Sequence, residues 1–271
     1  MNILGEIIAR KVVEVRESKA AVPAEVLESR IGMAPAPHSL RCSLETISPG
    51  IVAEFKRRSP SKNWIKQDAC VEDIIPAYQQ AGAAALSILT DNHYFGGSLA
   101  DIAAARPLTT LPILRKEFII DRYQLLEARA VGADAVLLIA AAIGKEKCHE
   151  LAAAAHELGL EVLLEVHSEE ELEACSKDVD VVGVNNRDLK TFITDPVRSE
   201  QIFSSLPEGP LPISESGLLH PAIASRLKAA GYKGFLIGEA FMAKPNPGEA
   251  LAEYISEMGL SSTEKIVTDI I

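Results

Sequence analysis

From residue 50 onward the chain repeats one pattern. A short apolar run is followed by a segment with apolar residues at three- and four-residue intervals, often closed by a glycine before the next run. The apolar runs are Ile51–Lys56, Ala85–Thr90, Pro112–Ile119, Ala135–Ala140, Glu161–Val166, Val181–Asn186, Leu211–Ser216 and Gly234–Glu239. Each has the length of a buried parallel strand. Helical periodicity lies between them, at Val71–Ala81, Tyr123–Val131, Lys145–Leu158, Ser168–Ala174 and Pro221–Ala230. Gly82, Gly132, Gly159 and Gly231 stand where a left-handed helix cap wants a residue without a Cβ. Eight strand–helix units between residues 51 and 271 have the count and size of a (β/α)8 TIM barrel. A doubly wound open sheet is the alternative, but it carries a glycine-rich turn after its first strand, and Lys56 to Lys62 contains no glycine. The expectation is one barrel domain over residues 1–271. Residues 1–50 form a helical amino-terminal extension of one or two helices with a proline-rich connection at Ala34–Pro37, packed over the barrel's bottom or rim.

Composition narrows the function classes. A net charge of −11 argues against a nucleic-acid partner, since phosphate backbones are bound by clustered Lys and Arg. No apolar run is long enough for a membrane span, and the charged residues between Met1 and Lys19 exclude a signal-peptide core. Cys42, Cys70, Cys148 and Cys175 are scattered, which fits reduced thiols in the cytoplasm better than disulfides or a zinc site. Neither G-x-G-x-x-G nor G-x-x-x-x-G-K-[ST] occurs, so no nucleotide cofactor is expected. The chain ends soon after its last helical segment, so no fused second enzyme is expected.

The charged residues fall at the ends of the apolar runs. Glu54 and Lys56 close the first, and their two-residue spacing puts them on one strand face. Arg57, Arg58 and Ser59-Pro60-Ser61 follow as a basic and hydroxyl-bearing loop suited to an anion. The third run carries Arg115, Lys116 and Glu117, and the fifth is apolar until Glu165. The sixth finishes in Asn185-Asn186-Arg187-Asp188, the seventh in Glu215-Ser216-Gly217 and the eighth in Gly238-Glu239. Singly, each could be a solvated loop residue or a turn satisfier. In a barrel all these ends meet at the face where active sites lie. Two lysines and an arginine there favour an anionic substrate. Ser216-Gly217 and Gly238 stand where barrels hold phosphate on backbone N–H groups. A lysine among cations is expected to have a lowered pKa and to serve as a general acid, with Glu165, raised by an apolar wall, as its partner. His93 and His167 are read as incidental, and metal-ligand spacing is absent.

These residues bear a family likeness. Ala53-Glu54-Phe55-Lys56-Arg57-Arg58-Ser59-Pro60-Ser61 resembles the signature of the indole-3-glycerol phosphate synthase family. The likeness continues through Leu89 to Ser98, Leu114-Arg115-Lys116-Glu117-Phe118-Ile119, Leu164-Glu165-Val166-His167, Gly183 to Leu189, Ser214-Glu215-Ser216-Gly217 and Phe235 to Glu239. It implies a cofactor-free ring closure of 1-(2-carboxyphenylamino)-1-deoxyribulose 5-phosphate with loss of carbon dioxide and water. It further implies that Lys116 is the general acid, that Glu165 and Lys56 handle later proton transfers, and that Glu54 and Asn185 orient substrate and lysines. Arg187 and Glu215 would hold the anthranilate side and the sugar hydroxyls, and Ser216, Gly217 and Gly238 the phosphate. Phe95 and Phe118 would sandwich the aromatic ring, with Ser59 on a mobile edge over the substrate. Trp64 stands in that edge, where many relatives have a smaller residue. Glu239 would repel phosphate and is expected to turn away. The partner is then a small phosphorylated anion, with the protein a monomer or weak homo-oligomer. An isomerase would want a Cys and Asp pair at strand ends and an aldolase an isolated lysine, and neither fits. A barrel kept only as a binding module would have lost Lys56, Lys116 or Glu165, and all three are present.

Overall fold

The computed structural model describes residues 3–188 and 193–259. Leu189, the last residue of the sixth motif, and residues 260–271 of the expected domain lie outside them. Eight parallel strands close into a barrel. They are β1 (Gly50–Phe55), β2 (Ala85–Leu89), β3 (Ile113–Lys116), β4 (Ala135–Ile139), β5 (Glu161–Val166), β6 (Val181–Asn185), β7 (Leu211–Glu215) and β8 (Gly234–Ile237). Closure is by β1 on β8, with Gly50 opposite Gly234 and Ala53 opposite Ile237. Every strand run expected from the sequence is present. β3 is shorter than expected, because Asp121 and Gln124 form a capping box there. The Gln124 side chain also takes the Ile120 N–H at 2.8 Å and reaches the Phe118 carbonyl at 3.0 Å, drawing the chain off the ladder into the helix Arg122–Ala130. The stretch after β5 is a 3-10 turn, Glu170–Ala174, rather than the expected α-helix.

Strand alternation sorts side chains between two cores. Residues such as Ile51, Leu86, Val136, Val162, Val182 and Phe235 face outward into the layer between barrel and helices. Val52, Leu114, Leu137, Leu163, Val181 and Leu236 face inward and fill the barrel. Gly132, at φ +91, turns the chain from the helix Arg122–Ala130 toward β4. Its missing Cβ also leaves room for Arg106, whose Cγ would lie 2.9 Å away.

The amino-terminal extension is more elaborate than expected. Helices α1 (Ile3–Ala21) and α2 (Ala24–Ile31) precede the proline-rich connection, and α3 (Leu40–Thr46) follows it. Leu40 and Leu44 of α3 close the barrel's bottom by joining the inward core. α1 does the opposite job, because Ile3, Leu4 and Ile7 line the cavity at the carboxyl ends of the strands. It is tied down by the buried Lys11, whose ammonium lies 2.9 Å from Asp91 after β2 and 3.1 Å from Glu117 after β3. One extension thus covers both ends of the barrel.

Candidate active site

The strand ends open into a cavity of about 380 Å³. The alternation that fills the barrel with apolar residues continues upward by one more layer. Leu114 is followed two residues later by Lys116, Leu163 by Glu165, Gly183 by Asn185, and Ile213 by Glu215. Their outward neighbours serve other purposes. Arg115 donates to the Gln124 carbonyl at 2.6 Å and lies 3.2 Å from Glu127. Arg57 forks onto Asp101 at 2.7 and 2.9 Å. Asn186 donates at 3.0 Å to the Ser216 carbonyl and accepts from the Ser199 hydroxyl at 2.8 Å, which anchors the turn after β7.

At the centre, the Lys116 ammonium lies between two carboxylates, 2.8 Å from Glu165 and 2.7 Å from Glu215. Glu215 and Glu165 are almost fully buried. Beside them Lys56 donates to Glu54 at 2.5 Å. This corrects the expected electrostatics. Burial pulls the Lys116 ammonium down, but Glu165, Glu215 and Glu54 together outweigh it and hold the proton well above the ordinary lysine range. Burial would raise Glu165, yet Lys116, His167 and a hydrogen bond with Asn185 keep it below the usual carboxylate range. Glu215 takes the opposite course. Burial, with Glu165 and Glu54 nearby, outweighs Lys116 and pushes it up to about 7. Its Oε1 has no hydrogen-bond partner among the described residues. The charges at strand ends were visible in sequence, but not which of them face one another. Because carboxylates rather than cations surround Lys116, the shift reverses sign.

The cavity also collects the remaining expected residues. Ser59 and Ser61 lie in a hairpin whose strands, Arg58–Ser59 and Asn63–Trp64, pair antiparallel. The hairpin is fastened by Arg187, which donates to Ser61 at 2.7 Å. Trp64 stacks near the Arg58 guanidinium, 5.5 Å from ring centroid to carbon, and packs on Gly96. Ser216 and Gly217 both take left-handed backbone angles, φ 66 and 73, which gives the turn after β7 its curl. Gly238 stands where a Cβ would lie 2.6 Å from Glu54 Oε1, so the carboxylate requires a glycine there. Glu239 does not turn away. It lines the cavity, 3.4 Å from the Lys62 ammonium and 3.8 Å from the Arg187 guanidinium, because two cations at the rim draw its carboxylate. The expected aromatic sandwich is corrected as well. The Phe95 and Phe118 rings are 6.0 Å apart and tilted by 38°. A ring inserted between two others needs about 7–8 Å, so the pair forms one apolar wall.

Sequence reasoning missed Gly183. It is the inward residue two positions before Asn185, and a Cβ there would lie 2.1 Å from Glu215 Oε1. Its signal was available: a lone glycine inside a strand marks a close approach. Among the described residues no group of three or more His, Cys, Asp or Glu side chains is placed to hold a metal ion, and no helix is long and apolar enough to cross a membrane.

Comparison with known proteins agrees with this geometry. The family model described as indole-3-glycerol phosphate synthase matches residues 4–254. An indole-3-glycerol phosphate synthase of Bacteroides thetaiotaomicron is 56% identical over 254 residues, covering 94% of this chain and 98% of that one. One from Dechloromonas aromatica is 41% identical over 256 residues, covering 93% and 98%. Among solved structures, 3-hexulose-6-phosphate synthase from Salmonella typhimurium superposes with a TM-score of 0.60 at 12% identity, covering 77% of this chain and 99% of that one. Tryptophan synthase subunit alpha from Legionella pneumophila gives 0.58 at 15%, covering 81% and 96%. At such identities the last two speak for the barrel fold alone.

Proposed function

This chain belongs to the indole-3-glycerol phosphate synthase family, and from that premise we propose how its cavity divides the chemistry. The reaction is the ring closure of 1-(2-carboxyphenylamino)-1-deoxy-D-ribulose 5-phosphate, with loss of carbon dioxide and water, to indole-3-glycerol phosphate in tryptophan biosynthesis. As the arene carbon attacks the ketone carbon, the ketone oxygen must receive a proton, and Lys116 supplies it. The observation that carries this assignment is the Lys116 ammonium lying within 2.8 Å of both Glu165 and Glu215 at the cavity's centre. That placement keeps the lysine charged until a stronger base appears, and the developing alkoxide is one. Departure of carbon dioxide returns its bonding electrons to the ring and restores aromaticity. Dehydration then breaks the C–O bond at the former ketone carbon and removes a proton from the neighbouring CH2 of the new five-membered ring. Glu165, held ionised, is suited to accept it, and Lys56 to protonate the leaving hydroxyl.

Binding roles follow from position. Arg187, Ser59 and the backbone N–H groups of Ser216, Gly217 and Gly238 receive the substrate's anionic ends. Glu54 and Asn185 orient Lys56 and Glu165. Glu215, raised to about 7 by burial, is suited to bind a sugar hydroxyl. Phe95 and Phe118 supply the wall for the aromatic ring. The same reading takes residues 1–271 as one barrel domain with its extension. The net charge of −11 supports a partner other than nucleic acid, and the four free cysteines support a cytoplasmic protein, taken as a monomer or weak homo-oligomer.

Purified protein is expected to turn the carboxyphenylamino-deoxyribulose phosphate into a fluorescent indole without added metal or nucleotide. Folded protein at saturating substrate with no turnover above background would overturn the reading. A finer test uses Gly183. Gly183→Ala displaces the Glu215 carboxylate, and an ångström of misplacement costs on the order of 10²-fold. Steady-state kinetics should show kcat/KM lower by roughly ten- to a hundredfold in a folded variant. Unchanged kinetics would mean that Glu215 needs no fixed position.

A further inference from the structure

His167 lies just past the end of β5, two residues beyond Glu165, and its ring approaches that carboxylate. Its side chain is 9% exposed. Both ring nitrogens face carboxylates: Nδ1 lies 3.3 Å from Glu171 Oε2, and Nε2 lies 3.4 Å from Glu165 Oε1. Glu171 is itself fixed, because the same oxygen accepts the His167 backbone N–H at 2.7 Å. Nε2 is buried with no aligned hydrogen-bond partner. An ionised carboxylate only accepts hydrogen bonds, and a neutral imidazole has a single N–H. A neutral His167 would therefore point a lone pair at one of its two carboxylates. Only the imidazolium turns positive charge toward both carboxylates.

We propose that His167 is a positioning residue of the ring-closing reaction: as an imidazolium clamped by Glu171, it faces Glu165 and holds that carboxylate ionised and aimed at Lys116. The inference rests on the proposed role of Glu165. The charged groups around the pair come from several elements: Glu165 from β5, Glu171 from the 3-10 turn, Lys116 from β3 and Glu215 from β7. The Cys148 thiol on the helix behind Glu171 stays neutral, since burial and that carboxylate push it up to about 12. Burial alone would lower His167, but Glu171, Glu165 and Glu215 outweigh it and raise it above the ordinary histidine range. The sign follows from linkage. A histidine raised above its ordinary value keeps its charge to higher pH than a free one, and its hold on Glu165 is lost as pH rises through the raised value.

Two measurements test this. In the wild-type protein, 15N shifts of the His167 ring should report two protonated nitrogens at neutral pH. Glu171→Gln should move that titration to lower pH. In kinetics, His167→Ala should lower kcat about tenfold with KM within about twofold, and move the acid limb of the kcat profile up by about one pH unit as Glu165 loses a cation. His167→Asn, which is neutral, should show the same displaced limb. A neutral ring at pH 7, or an acid limb unmoved in both histidine variants, would overturn the proposal. The spectroscopic arm needs no folded His167 variant. Glu165→Gln separates the underlying reading. If it retains full turnover, the role of Glu165 fails while the charge state of His167 still stands on the ring shifts.

Discussion

Lys116→Met is expected to abolish ring closure, with kcat falling by roughly 10²–10⁴-fold, while inorganic phosphate still binds within a few-fold of wild type. Among the described residues Lys116 is the single cation that touches both Glu165 and Glu215, so its loss removes a proton donor, strands the buried Glu215 and leaves Glu165 with His167 alone. The two losses separate experimentally. Lys116→Arg keeps the positive charge, but its guanidinium does not give up a proton. It should therefore restore much of the stability and little of the turnover. For the methionine variant, thermal unfolding should show a marked deficit at pH 8 that narrows toward pH 5.5. Glu215 is already raised to about 7 with Lys116 beside it. A carboxylate with a raised folded-state pKa costs stability above that value and ceases to do so as pH falls and it protonates. A methionine variant with activity within tenfold of wild type would remove Lys116 from the general-acid role. Full turnover in the arginine variant would reduce that role to charge.

The fold was legible because β1 to β8 are apolar runs of nearly uniform length, separated by helical periodicity and glycine. The inward side chains were legible in part. Alternation from Leu114 selects Lys116 over Arg115 and Glu117, and alternation from Leu163 selects Glu165. Alternation could not supply the signs of the pKa shifts. Those depend on Lys116, Glu165 and Glu215 meeting across three strands whose separation in the chain is 49 and 99 residues from the lysine. His167 illustrates the same limit. As one histidine near a strand end it looked incidental, and only the fold sets Glu171 and Glu165 on its two nitrogens. Glu239 was misjudged for a related reason. Its repulsion for phosphate was weighed, but not Lys62 and Arg187 arriving from two other loops.

The amino-terminal helix carries the other large effect. Lys11→Met is expected to destabilise the protein by about 3–5 kcal/mol, the typical cost of removing one partner from a buried ion pair. Lys11 is 4% exposed and is held by Asp91 at 2.9 Å and Glu117 at 3.1 Å, themselves 1% and 5% exposed. Burial lowers the lysine, but Glu117 and Asp91 outweigh it and raise it beyond the ordinary range. Its contribution is thus fully present below the ordinary lysine pKa and is lost only as pH rises through the raised value. Methionine fills the volume of the stem, so the deficit isolates the charge. The effect also reaches the site. Glu117 follows Lys116 directly and accepts from Thr90 at 2.8 Å, while α1 lays Ile3, Leu4 and Ile7 along the cavity. Losing the latch should therefore raise KM several-fold at a temperature where the variant is still folded, with a smaller change in kcat, since Lys116 keeps its own carboxylates. Chemical denaturation and steady-state kinetics on one preparation check both halves. A variant as stable as wild type would show that Asp91 and Glu117 need no cation. A destabilised variant with unchanged KM would show that α1 covers the cavity without helping to bind what enters it.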